Sequence, residues 1–126
     1  MGHTCKFEEF SDYLRAEVTG NWSTDKVAKE TKEFWIQAAN HCNRINKYRV
    51  LAVIDVPGTL PVMAAYDIAS DPEGLGFTRA VKVAVVYTHE ERYESNRFTE
   101  DVAVNRGWAV KIFNEEREAK LWLLDV

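Results

Sequence analysis

The 126-residue sequence predicts an α/β fold: a mostly parallel sheet of four or five strands, an N-terminal hairpin or edge strand, and about four helices. Three observations predict it. The apolar runs "RVLAVID", "VKVAVVY" and "WAVKIF" read as strands covered on both faces, as strands of a parallel sheet are. Each is followed by a segment with helical spacing, so strand and helix alternate. The stretch from Tyr13 to Thr19 instead alternates apolar and polar residues, as a strand with one buried face does. At 46% hydrophobic, a chain of this length fills one domain, residues 1–126.

Each element has its own signal. Leu14, Ala16 and Val18 alternate with Tyr13, Arg15 and Glu17, and residues 6–10 are expected to pair with them antiparallel across Ser11 and Asp12. Gly20 and Asn21 end that strand. Ser23 or Thr24 then suits the cap of a helix whose Val27, Thr31, Phe34, Ala38 and Cys42 share one face, with Trp35 beside them and half exposed. Lys26, Lys29, Glu30, Lys32 and Glu33 crowd the opposite side, a solvated face. After the run ending at Asp55 comes a helix over 60–69, "LPVMAAYDIA". Thr59 reads as its cap, because proline is tolerated in a first turn whose N–H groups have no intrahelical partner. A later helix around 94–105 carries Phe98 and Val102 four apart. Asn114 caps the last one, Glu115 and Glu116 suit its dipole, and Ala119, Trp122 and Leu123 face inward.

Composition narrows the function. Sixteen Lys and Arg against twenty Asp and Glu give a net charge of −4 with no basic face, which argues against a nucleic-acid partner. No apolar run approaches the roughly 20 residues that span a bilayer, and the first twenty residues lack a signal peptide's apolar stretch. An integral membrane protein is not expected, and the cytoplasm is. Cys5 and Cys42 are expected to be reduced. His3, His41 and His89 have no metal-binding spacing, so neither metal nor cofactor is expected. The chain has no nucleophile elbow or Walker loop, and nothing in it points to an enzyme.

Several segments in their order resemble the SpoIIAA-like family of the STAS/SEC14 superfamily: "VLAVID", "FTRAVKVAVVY", "NRGWAVKIF" and "EEREAKLWLL". The most specific pieces are Arg79 ahead of the third apolar run, and Gly107 leading through Phe113 to Ala119, Trp122 and Leu123. The resemblance implies a SpoIIAA-like, STAS-type fold and no catalytic residues. STAS domains bind a protein partner under control of a phosphorylated serine, while SEC14-type relatives bind lipids or other apolar ligands. This chain lacks the Asp-Ser-Ser-Gly-like motif and passes from Asp55 through Val56, Pro57 and Gly58 to Thr59. Only the rough place of a hydroxyl matches.

The candidate site follows from these readings. Asp55 and Tyr87 close two strands at the edge where open α/β sheets bind ligands, with Thr88, His89 and Asn114 beside them. The alternative is that Asp55 bonds loop N–H groups while Thr88 and Asn114 cap helices. The 60–69 helix has more apolar residues than one face holds, so it needs cover from the chain, a second copy, a partner or an apolar molecule. The following "SDPEGLGF" is either a gate over a pocket or a glycine-rich turn closing the core with Leu75 and Phe77. The expectation is a non-enzymatic module binding a small apolar or lipid-like ligand between the 60–69 helix and the sheet, through Asp55, Thr59, Met63, Leu75, Phe77 and Tyr87. The rival is a STAS-like interaction module, homodimeric or with a regulatory protein partner, in which the same helix docks and a charge added by phosphorylation at Thr59 or Ser70 would modulate the contact.

Overall fold

In the computed structural model, residues 2–22 and 25–125 are described. Their strands are β1 (His3–Glu9), β2 (Leu14–Gly20), β3 (Arg49–Asp55), β4 (Lys82–Tyr87) and β5 (Ala109–Phe113). They form one sheet in the order β1-β2-β3-β4-β5. β1 runs antiparallel to β2, with Phe7 opposite Ala16, and the other three pairings are parallel. The helices are α1 (Val27–Ile45), α2 (Val62–Ser70), α3 (Pro72–Leu75), α4 (Glu90–Asn96), α5 (Phe98–Val104) and α6 (Glu116–Leu124). The fold is α/β with a mixed, mostly parallel sheet. Among the described residues no helix is long and apolar enough to cross a membrane.

Strand order dictates where the helices go. Each parallel strand is added on the same side of the last, and right-handed crossovers then place every connecting helix on one face of the sheet. Accordingly Val50, Ala52, Ile54, Val83 and Val85 share a core with Phe34, Ala38 and Cys42 of α1, Leu75 at the end of α3, and Ala103 of α5. α6 is free to cross beneath. It covers the other face, where Leu51, Val53, Ala84 and Val86 meet Ala119 and Leu123. Adjacent residues of β3 and β4 thus point to opposite cores, which is why both read as unbroken apolar runs.

Charge fastens α6 at its first turn. Arg15 of β2 donates to both carboxylate oxygens of Glu116, at 2.7 and 3.0 Å, a bidentate geometry that is strong for a partly exposed pair. The Arg15 hydrogen bonds hold the Glu116 carboxyl below its usual range. At the far side Lys82 donates to the Trp122 carbonyl at 2.8 Å and lies over the Trp122 ring.

Several boundaries differ from expectation. β1 begins three residues before the 6–10 segment and ends at Glu9, because its pairing with β2 extends out to Gly20. Trp35 is buried, packed edge-on against Phe34 and Phe77. β5 is an edge strand, and its Ala109 and Lys111 are exposed rather than covered. The expected 94–105 helix is two helices, and its buried positions are Arg92, Asn96 and Ala103 rather than Phe98 and Val102. The cap expected at Ser23 or Thr24 lies outside the described residues.

Two expected caps are also absent. α2 starts at Val62 with Pro61 in the cap position and no side-chain cap bond. The clash of the Pro61 ring with Leu60 keeps that residue out of helical geometry, so Thr59 stands too early to cap. Glu115, in extended backbone, precedes α6 in place of Asn114. α3 does have its cap: the Asp71 side chain accepts from the Gly74 N–H, and Gly76 closes the turn at φ 109°, a conformation glycine reaches without penalty. Leu75 and Phe77 are both buried, so "SDPEGLGF" is a capped turn that closes the core. The Cys5 and Cys42 thiols are free, and burial pushes Cys42 up to about 11.

Candidate functional site

α2 makes a thin roof. Of its nine residues only Ala65 is buried, whereas Val62 and Met63 are 65% and 68% exposed. Between this roof, α5 and the sheet lies a cavity of about 90 Å³. Ile54, Val83 and Val85 form its floor, Leu60, Ala65 and Ile68 its roof, and Trp35, Phe77 and Trp108 its walls. The aliphatic and aromatic part of this hollow holds no water firmly, since water needs two or more polar partners.

One end of the hollow is polar. Trp22 follows β2, Val56 and Pro57 follow β3, and Tyr87 ends β4, so this end lies at the carboxyl edge of three parallel strands, where α/β sheets bind ligands. Arg92 and Asn96 project into it from α4. Arg92 is 2% exposed. Its Nε donates to the Val56 carbonyl and one Nη to the Pro57 carbonyl, both at 3.0 Å, and its guanidinium carbon lies 5.1 Å from the Trp22 ring centre. No carboxylate lies within ion-pairing distance of it among the described residues. Its neighbour Glu91 instead accepts from the Gly58 N–H at 3.1 Å.

Burying a guanidinium with no carboxylate in direct contact costs several kcal/mol; the two carbonyls and the indole face offset part of that, and the nearby Glu91 charge favours the charged form without touching it. The desolvation weakens the hold of Arg92 on its proton, though arginine stays charged. Burial likewise pushes the Tyr87 phenol up, opposed by the Asn96 amide and by Arg92. Two further polar atoms are buried without a hydrogen-bond partner among the described residues: Trp22 Nε1 and Asn96 Oδ1. Native interiors leave few such atoms. Here both belong to residues that line one cavity.

The residues singled out from sequence divide into three groups. Phe77 and Tyr87 line the cavity. Leu75 is buried beside it in the core. Asp55, Thr59 and Met63 lie outside. The Asp55 carboxylate accepts from the Thr88 hydroxyl at 2.7 Å and lies 3.0 Å from His89 Nε2, so it ties the ends of β3 and β4 together on the partly exposed rim. Thr88 serves that contact and does not cap α4, whose cap position is His89. Thr59 is exposed, and Met63 points to solvent.

Sequence reasoning passed over Trp22, Arg92 and Asn96. A signal was present: Arg92, Asn96, Thr99 and Ala103 step by four, three and four, and all four line the cavity. That is the spacing of an inward helical face, occupied mostly by polar residues. The Arg79 and Gly107 pair also gains a local role. The Arg79 guanidinium lies 4.3 Å over the Trp108 ring and donates to the Arg106 carbonyl, while Gly107 turns the chain at φ 87°. Together they fix Trp108, one wall of the cavity. No protein-family model matches the chain, and no curated protein matches it.

Proposed function

We propose that the protein is a non-enzymatic binding module that holds a small, largely apolar molecule between α2 and the sheet. The observation that carries this reading is the cavity itself, floored by strand side chains and roofed by a helix with one buried residue. An engineered apolar cavity of 150 Å³ takes up benzene; on that scale about 90 Å³ holds about four non-hydrogen atoms. Lifting α2 exposes little, so a longer chain fits at small cost. In the same proposal the chain is a SpoIIAA-like domain of the STAS/SEC14 superfamily, which the element order supports.

The test is a thermal-shift and native mass spectrometry series with toluene and alcohols from propanol to octanol. Stabilisation that disappears in Ala65→Leu, where three added carbons fill most of the hollow, is the expected result. If no compound shifts the midpoint or remains bound, the reading falls. A second reading is favoured by the exposed Val62 and Met63 together with Val104 of the neighbouring α5: this surface docks a second copy or a regulatory protein. Sedimentation of the wild type and of Met63→Glu separates the two readings, because only the docking reading predicts a dimer that the charge disrupts.

A further inference from the structure

Any occupant of the cavity must meet its polar end as well as its apolar body. We infer that the ligand is a small amphipathic monocarboxylate, its carboxylate paired with Arg92 beside the Trp22 indole N–H and its hydrocarbon part lying under α2. This rests on the pocket reading above and names the ligand class.

The argument is one of unmet partners. Arg92 is buried, and its two hydrogen bonds within the cavity wall go to uncharged carbonyls; a guanidinium has five N–H donors. Trp22 is 8% exposed and its Nε1 hydrogen has no acceptor among the described residues. A carboxylate is acceptor-only, planar and singly charged, so it supplies the contacting counter-charge that Glu91, engaged with Gly58, does not, and takes up both kinds of donor. Asn96, 2% exposed, fits the same scheme. Turning its amide by half a revolution lets Oδ1 accept from the Tyr87 hydroxyl and presents Nδ2 to the ligand.

Other head groups fit less well. A neutral hydroxyl leaves the guanidinium uncompensated. A phosphate dianion beside a single cation leaves one negative charge buried. Beyond the head, the lining is mostly aliphatic and aromatic, with Ile54, Val83, Val85 and Phe77 among it, and it holds no second cationic side chain to pair with another negative charge. The ligand's other end is therefore hydrocarbon.

The experiment titrates the full chain with propionate, butyrate, hexanoate and benzoate, and in parallel with the alcohols of matching carbon skeleton. Binding is read by thermal shift and by the indole N–H signals in proton-nitrogen NMR, where Trp22→Phe identifies the Trp22 signal. The acids are expected to bind about 10-fold or more tightly than their alcohols and to move the Trp22 signal. Arg92→Met should reduce the acids to the level of the alcohols while alcohol binding persists. Trp22→Phe keeps the ring and drops the N–H, and should weaken acid binding about 3-fold or more. If acids and alcohols bind alike, the head-group assignment is wrong although the pocket reading stands. If neither binds, both fall. Should Arg92→Met not fold, the wild-type comparison of acid with alcohol decides the matter alone.

Discussion

The two faces of the sheet are covered by different means. Beneath it, Leu51, Val53, Ala84 and Val86 are buried against Ala119 and Leu123 of α6, and ion pairing and a lysine clasp hold that helix at both ends. Above it, three crossovers supply more helix, yet α2 gives one buried side chain, and about 90 Å³ stays unfilled. Polar atoms without hydrogen-bond partners among the described residues gather at one end of that space. Close packing is the norm for interiors, so the lower face is what this chain does when only stability is at stake. The upper face departs from that norm at the strand edge where α/β sheets hold ligands.

The contrast can be tested by changing equivalent volumes on the two faces. Leu123→Ala should cost about 3 kcal/mol, since a fully buried leucine is lost from a face with no slack. Ile68→Ala, beside the existing hollow, should cost about 1 kcal/mol, because its side chain is only partly buried and gives up fewer packing contacts. Urea denaturation at equal protein concentration measures both, and equal losses would erase the distinction. Added volume gives the opposite pattern. Ala119→Val should destabilise by about 2 kcal/mol through overpacking, whereas Ala65→Val, directed into the cavity, should change stability by no more than about 0.5 kcal/mol.

A smaller effect concerns the fastening of α6. Glu116 has its ionisation depressed below the ordinary value of 4.5 by hydrogen bonds from Arg15. The unfolded chain therefore takes up a proton before the folded one as pH falls. The stabilisation is complete above about pH 5 and is lost as pH drops through the folded value. Because the carboxylate is partly exposed, Glu116→Gln should cost about 0.5 kcal/mol at neutral pH. It should flatten the acid limb of a stability-against-pH curve, with no difference from wild type once Glu116 is protonated in both states.

β2, β3 and β4 were legible because each obeys a simple pattern: Leu14, Ala16 and Val18 alternate, and the interior residues of β3 and β4 are all apolar since two cores claim alternate residues; edge strands β1 and β5 departed from expectation in bounds and in cover. The site was legible through Phe77 at its apolar end and through Tyr87 alone at its polar end. A helix with as many apolar residues as "LPVMAAYDIA" does not reveal which face turns inward, and Met63 falls on the outer one. Arg92 and Asn96 were hidden for a physical reason: charged and amide side chains on a helix belong by default to water. Their burial depends on carbonyls and an indole brought from two other strand ends. Trp22 sits in a loop, where periodicity says nothing.

The succession of strands also bears on how the protein is made. Neighbours in the sheet are neighbours in the chain, so each strand can dock onto its predecessor soon after leaving the ribosome. Nothing in that progression shelters the underside. Leu51, Val53, Ala84 and Val86 stay bare until Glu116–Leu124 has emerged, and a product cut short after β5 carries a sticky apolar strip of the kind that chaperones retain and that seeds aggregates.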